Sequence, residues 1–163
     1  PLVAAVNGRA VGVGVTMLLH CDLVYVDEDA LLTTPFVNLA LVPETASSLT
    51  LPARIGHARA FSMFVLGEAV DARKAVDWGI ANEAVPRGER RARARAGAVA
   101  GAQRPPGAVA ITKALMRDPV ALAERMDREG RHFSDQLKSP EAREAFAAFR
   151  EKRRPDFSAV AGR

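Results

Sequence analysis

The stretch Ala4-Ala5-Val6-Asn7-Gly8-Arg9-Ala10-Val11-Gly12-Val13-Gly14 has the most informative local pattern in this chain. Residues 2–6 form a short apolar run that is typical of a buried strand. Asn7-Gly8 then predicts a turn, because glycine tolerates backbone angles that other residues avoid. The apolar residues that follow, through Leu19, predict a helix. A strand, a glycine-rich turn and a helix in direct succession would leave backbone N–H groups near Val13 free to bind a negatively charged oxygen.

Two interpretations of this turn remain open from the residues alone. A glycine-rich connection between a strand and a helix is common without any ligand. Alternatively, its N–H groups bind a ligand oxygen on which negative charge develops in a transition state. The spacing of Gly8, Gly12 and Gly14 is not that of a phosphate-binding loop or a dinucleotide fingerprint.

The chain changes character at Pro86. Before it, short apolar strands at 22–26, 31–34 and 80–85 alternate with loops and short helices, as at 57–66. After it, alanine and arginine dominate, and helices are predicted over about 88–101 and 107–117 and as a pair within 119–153. The last helix carries an apolar stripe, Ala142, Ala145, Phe146 and Phe149, which must pack on something, such as another subunit. We therefore expect a mixed α and β fold with a helical C-terminal part.

The composition indicates a soluble, globular, cytoplasmic protein. A chain of 163 residues that is 48% hydrophobic is long and apolar enough to bury a core. No apolar run approaches the roughly 20 residues that a membrane-spanning helix needs. The single cysteine, Cys21, has no partner for an internal disulfide and is expected to be a buried structural thiol.

The formal net charge of +4 comes mainly from arginine. The densest run consists of Arg87, Arg90, Arg91, Arg93 and Arg95. We interpret it as the solvated face of a helix. The alternative is a site for phosphate, from a nucleic acid or from a cofactor that contains a nucleotide, and composition alone does not choose between them.

The opening stretch, followed by Cys21-Asp22, resembles the signature A-A-V-N-G-x-A-x-G-x-G…C-D of the crotonase (enoyl-CoA hydratase/isomerase) family. Segments 66–68, 72–81 and 149–157 resemble that family's downstream landmarks in the same order. The resemblance spans nearly the whole chain but only the C-terminal portion of a typical member. It places the first oxyanion donor and much of the coenzyme A groove upstream of residue 1.

The resemblance implies an α/β fold, a crotonase-like spiral of ββα units with a C-terminal helical region. Residues 1–86 would be the C-terminal part of the spiral core, with the oxyanion turn and the active site. Residues 87–163 would mediate oligomerisation, as a homotrimer or a dimer of trimers, and cover the coenzyme A site. The implied partner is an acyl-CoA substrate in lipid metabolism such as fatty acid β-oxidation. Coenzyme A is then part of the substrate, and no permanent cofactor, metal, nucleic acid or membrane is expected.

The resemblance also assigns site residues. The second oxyanion donor falls on the backbone N–H of Val13. The residues expected to bind substrate are Gly12, Thr16, Pro35, Phe36, Leu39, Phe149 and Lys152. Of these, Phe149 and Lys152 match positions that contact the adenine end of coenzyme A from a neighbouring subunit.

The catalytic carboxylates separate the subclasses of this family. The two acids typical of hydratases do not carry over, because Thr16 and Phe36 occupy the matching positions. Glu44 remains, in a segment from 34 to 48 that is similar to peroxisomal-type Δ3,Δ2-enoyl-CoA isomerases, in which this glutamate is the catalytic base. From the residues alone, Glu44 equally fits an exposed loop, or the N-cap of a helix that starts near Thr45.

Three hypotheses follow. The first is an isomerase that shifts the double bond of a 3-enoyl-CoA, with Glu44 as acid and base. The second is an enoyl-CoA hydratase with atypical catalytic groups, and the third is a non-catalytic acyl-CoA-binding or scaffold protein of the same fold. The histidines at 20, 57 and 132 are expected to be structural, since their spacing does not suggest a metal site.

Overall fold

The computed structural model describes residues 1–160, which form six short strands and eight α-helices. The strands are β1 (Val3–Val6), β2 (Arg9–Val11), β3 (Leu23–Asp27), β4 (Leu31–Thr33), β5 (Val70–Asp71) and β6 (Glu83–Val85). The helices are α1 (Val13–Thr16), α2 (Ser47–Ile55), α3 (His57–Phe61), α4 (Ala72–Asp77), α5 (Arg90–Ala102), α6 (Pro106–Leu115), α7 (Pro119–Leu137) and α8 (Pro140–Glu151). Short 3-10 turns cover Met17–His20 and Val37–Leu39, and a π-helical turn covers Ser62–Leu66.

The strands form two three-stranded sheets, in the orders β1-β3-β6 and β2-β4-β5. All neighbouring strands are parallel except β4 and β5. A short turn leads from β1 in the first sheet to β2 in the second, and another leads from β3 to β4. Each of these strand pairs is followed by helical structure, so the chain completes two consecutive ββα units. The first strands of the two units, β1 and β3, pair in parallel, and so do their second strands, β2 and β4.

Strand β2 was not predicted from the sequence, which indicated a turn running directly into a helix. Its three residues, bounded by Gly8 and Gly12, are too few to show the alternation that identifies a strand. Among them only Ala10 is buried. The strand exists because β4, about twenty residues later, pairs with it in parallel register.

The hydrophobic core draws on both sheets and on the helices between them. Its fully buried large members are Val15, Val24, Val26, Leu32, Leu51, Met63, Val70 and Ile80. Cys21 is buried in the same cluster, as predicted. Burial raises the pKa of its thiol, and the neighbouring Asp22 carboxylate raises it further. The thiol is therefore protonated at neutral pH and a poor nucleophile, which fits a structural role.

The arginine run lies on α5 except for Arg87, which precedes that helix, and two of its members meet carboxylates of the first sheet. Arg90 Nη1 lies 2.7 Å from Asp27 Oδ2, and Arg93 Nε lies 2.8 Å from Glu83 Oε2. Asp27 is buried, so the guanidinium of Arg90 compensates a charge that water does not reach. Arg91 is exposed. The run thus fits the predicted solvent-facing helix. The ion pairs of Arg90 and Arg93 connect that helix to β3 and β6.

The C-terminal helices pack unevenly. On α8, Ala142, Ala145 and Ala148 are buried, whereas Phe149 is 74% exposed. The predicted packing of the stripe is therefore confirmed for Ala142 and Ala145, whereas Phe146 is 37% exposed and packing of Phe149 on another subunit stays a prediction. None of the helices between residues 1 and 160 combines the length and the apolar character needed to cross a membrane.

We expect Gly97→Ala to destabilise the protein. Gly97 of α5 lies against Tyr25 of β3, and a Cβ there would overlap the tyrosine hydroxyl oxygen. Helix propensity alone would favour alanine by about 1 kcal/mol. Tyr25 is buried, however, and overpacking of this kind costs about 1–3 kcal/mol. Urea unfolding measures the change, with Gly101→Ala on the same helix as the control, because nothing lies within 4 Å of its Cβ position. Equal stability of the two variants would contradict the close packing.

Candidate active site

A cavity of about 690 Å³ lies between the two ββα units and α7. The β2–α1 turn lines it with residues 11–13, and α7 lines it with Met126, Gly130, Phe133 and Ser134. The loop after β4 contributes Pro35, Phe36, Leu39, Leu41, Glu44 and Thr45. Among these lining residues of the described chain, Glu44 has the only ionisable side chain. The cavity is thus a mainly apolar pocket with one carboxylate.

The turn between β2 and α1 presents a backbone donor to this cavity. Gly12 has φ 55° and ψ −117°, a conformation that glycine adopts without the penalty of a Cβ. Its N–H donates to the carbonyl of Thr33 at 2.9 Å. The next residue, Val13, begins α1, and its N–H has no acceptor within residues 1–160. Because the first N–H groups of a helix carry partial positive charge, this donor is available to a ligand oxygen.

Two hydroxyl groups hold the carboxylate of Glu44. The Thr16 hydroxyl donates to Glu44 Oε1 at 2.6 Å, and the Thr45 hydroxyl donates to Glu44 Oε2. Thr16 is fully buried, while Glu44 is half-buried and borders the cavity. A carboxylate oxygen accepts more than one hydrogen bond. Glu44 is therefore fixed in orientation and retains acceptor capacity toward a ligand.

Glu44 precedes an unusual turn. Thr45 and Ala46 have φ values of 60° and 55°, in the left-handed region that residues with a Cβ avoid. The sequence predicted a helix from about Thr45, but α2 begins at Ser47 because these two residues form the turn instead. The carbonyl of Thr45 lies 2.8 Å from His20 Nε2, so His20 has a structural contact, as predicted. Left-handed residues of this kind are concentrated at functional sites.

Four of the residues predicted to bind substrate line the cavity: Gly12, Pro35, Phe36 and Leu39. Phe36 is buried, and its ring centroid lies 6.1 Å from that of Phe64. This position forms an apolar wall and supplies no acid. Thr16 reaches the site through its bond to Glu44.

Phe149 and Lys152 do not line the cavity. Phe149 lies near the end of α8, and Lys152 directly follows that helix in a left-handed conformation. Both are exposed. Their contact with coenzyme A from a neighbouring subunit stays a prediction.

Sequence analysis missed the contribution of α7. Met126, Gly130 and Phe133 line the cavity, and Glu129 beside them binds the backbone at the start of α2. The signal was present in the spacing, because residues at i, i+4 and i+7 share one face of a helix. Within residues 1–160, no three His, Cys, Asp or Glu side chains are grouped to hold a metal ion.

A family model described as enoyl-CoA hydratase/isomerase matches residues 1–160. Enoyl-CoA delta isomerase 2 of Rattus norvegicus is 38% identical over 117 residues, which cover 72% of this chain and 30% of the rat protein. A probable enoyl-CoA hydratase of Bacillus subtilis is 31% identical over 160 residues, which cover 96% of this chain and 62% of that protein. The chain thus spans less than two thirds of the length of either relative.

A solved structure has the same fold. The crystal structure of an enoyl-CoA hydratase/isomerase from Pseudoalteromonas atlantica matches with a TM-score of 0.91 and 42% identity, over 96% of this chain and 63% of that chain. The expected α/β spiral of ββα units with a helical C-terminal region is confirmed. The resemblance of residues 4–22 to the crotonase signature is confirmed as well. The chain belongs to the crotonase, or enoyl-CoA hydratase/isomerase, family.

Proposed function

We propose that the protein shifts the double bond of a 3-enoyl-CoA to the 2-position, with Glu44 as acid and base. The observation that supports this most is the single carboxylate, oriented by two hydroxyl groups, in an apolar cavity that also holds the free N–H of Val13. Isomerisation moves one proton between two carbons of the same molecule, so one residue suffices to remove and return it. The rat relative carries the name of a delta isomerase.

In the proposed reaction the thioester oxygen accepts a hydrogen bond from Val13 N–H. Glu44 takes a proton from C2, and the electrons of that C–H bond form a dienolate whose negative charge rests on the thioester oxygen. Glu44 then returns the proton to C4. The carbonyl re-forms and the double bond lies between C2 and C3. Atoms and charge balance without water or a redox group, and coenzyme A is part of the substrate.

The walls of the cavity support this chemistry. Phe36, Leu39 and Leu41 present apolar surface beside Glu44. An apolar surrounding would strengthen the interaction between the Val13 N–H and a developing oxyanion.

The coenzyme A portion of the substrate would extend toward the helical region over residues 87–163. The exposed aromatic ring of Phe149 and the exposed ammonium of Lys152 suit an adenine and a phosphate, respectively. In a homotrimer or a dimer of trimers, we expect them to reach the substrate of a neighbouring subunit.

A second candidate is an enoyl-CoA hydratase with atypical catalytic groups, which the name of the Bacillus subtilis relative favours. Hydration requires groups that hold and activate a water molecule. The hydroxyls of Thr16 and Thr45 already donate to Glu44, which leaves Ser134 as a further polar side chain in the cavity. A non-catalytic acyl-CoA-binding or scaffold protein is the third candidate.

Glu44→Gln tests the proposal in the complete protein. The amide keeps the size of the side chain but cannot take up the C2 proton. We expect turnover of 3-enoyl-CoA to fall by about 10²–10⁴-fold, the usual contribution of a general base. The assay follows formation of the conjugated 2-enoyl thioester.

Glu28→Gln is the matched control, because Glu28 is exposed in the turn after β3. Full 3-enoyl turnover in the Glu44 variant would exclude Glu44 as the base. Wild-type activity confined to 2-enoyl-CoA and water would support the hydratase, and tight binding of both esters without turnover would support the binding protein.

Thr16→Val should lower turnover of 3-enoyl-CoA, although the valine side chain has nearly the same shape as threonine. The substitution removes the hydroxyl that donates to Glu44 Oε1. A hydrogen bond to a charged group contributes about 1.5–3 kcal/mol, which corresponds to a loss of roughly 10–100-fold in kcat if the bond orients the base. Steady-state kinetics of Thr16→Val and of Thr16→Ser, which keeps the hydroxyl, measure this. Equal turnover by the two variants would show that the hydroxyl has no part.

A further inference from the structure

We propose that Glu129 of α7 is a positioning residue, which fixes Glu44 by binding the backbone of the turn that carries it. The inference rests on the proposed role of Glu44 as the base. It assigns a function to a buried acid outside the lining of the cavity.

The contacts of Glu129 are directed at one end of α2. Ala46 N–H donates to Glu129 Oε2 at 2.6 Å, and Ser48 N–H donates to Glu129 Oε1 at 2.9 Å. No side chain of the α2 segment caps this helix end. The carboxylate therefore supplies the cap from α7, more than 80 residues away.

Because Glu129 is buried, its carboxylate needs these hydrogen bonds in place of water. The residue is 5% exposed, and no cationic side chain within residues 1–160 lies at salt-bridge distance from it. A buried carboxylate is tolerated only where hydrogen bonds replace its hydration. Here the two N–H groups and the partial positive charge at the start of α2 do so. The pairing determines how α7 and the turn are placed relative to each other.

The turn needs such a constraint. Two successive left-handed residues with side chains, Thr45 and Ala46, do not hold this conformation by themselves. Glu129 binds the N–H of the second of them, and Glu44 directly precedes the first. Loss of that bond would let the turn relax, and rotation at Thr45 would carry the Glu44 carboxylate away from the cavity.

The same helix face also borders the substrate space. Met126, Gly130 and Phe133, which flank Glu129 in sequence, line the cavity. One contact thus fixes the distance between the base and the wall against which an acyl chain would rest. Such positioning affects the rate strongly, because a displacement of about 1 Å can cost roughly 10²-fold.

Glu129→Gln tests the proposal, with Glu124→Gln, exposed on the same helix, as the matched control. The amide has only one acceptor oxygen and turns an NH₂ group toward a backbone donor. We expect kcat on 3-enoyl-CoA to fall by about 10–100-fold, with KM changed less than about twofold. The control should retain full activity.

A double mutant separates positioning from simple stabilisation. If Glu129 acts through Glu44, then Glu129→Gln causes no further loss of the residual turnover of Glu44→Gln. A lower Tm with unchanged kcat, or the full additional loss in the Glu44→Gln background, would overturn the proposal.

Amide hydrogen exchange gives a test that does not depend on turnover. In the wild-type protein, the amides of Ala46 and Ser48 should exchange about 100-fold or more slowly than in an unfolded chain, since Glu129 holds both. Exchange as fast as in an exposed turn would overturn the proposal. Should Glu44→Gln leave 3-enoyl turnover intact, the proposed function fails, while faster exchange of these two amides in Glu129→Gln than in the wild type still shows that Glu129 holds the turn.

Discussion

The hydrogen bond from Gly12 N–H to the carbonyl of Thr33 joins the two ββα units where the cavity forms. It continues the parallel pairing of β2 with β4 beyond the last paired residues, Val11 and Thr33. The turn into α1 and the loop after β4 therefore begin next to each other. The donor at Val13 and the segment that leads to Glu44 are consequently placed by backbone bonds.

Two carboxylates flank the turn at Thr45 and Ala46, and their surroundings differ in kind. Glu129 is buried, and both of its oxygens accept from backbone N–H groups, whose directions are fixed by the fold. Glu44 accepts from hydroxyl groups and borders open space in the cavity. Hydroxyl donors rotate and can follow a change in the charge of their acceptor, whereas backbone donors cannot. The contrast suits Glu129 to a constant structural bond and Glu44 to proton transfer.

The sequence predicted those parts of the site that local conformation determines. The glycine at position 12, with its positive φ, and the apolar run into α1 define the donor turn within a few residues. The resemblance to a family then identified Glu44, and the structure places it in the same cavity as Val13.

The parts that were missed depend on contacts between distant segments. Strand β2 is held by β4, and its three residues have too little pattern of their own. The N-terminal end of α2 at Ser47 is capped by Glu129, which the sequence separates from it by a long interval. Propensity and periodicity describe neighbours along the chain, so a helix cap supplied by a later helix leaves no local signal.

The identity of residue 16 limits what chemistry the cavity supports. Thr16 is fully buried, and its hydroxyl oxygen lies 2.6 Å from Glu44 Oε1. A carboxylate in its place would put two acids within hydrogen-bonding distance, and one of them would have to retain a proton, because like charges so close together do not both ionise. That pair would offer an acid and a base to a water molecule. Threonine instead donates one hydrogen bond and leaves a single group that exchanges protons, which supports the transfer of one proton along the substrate over the addition of water.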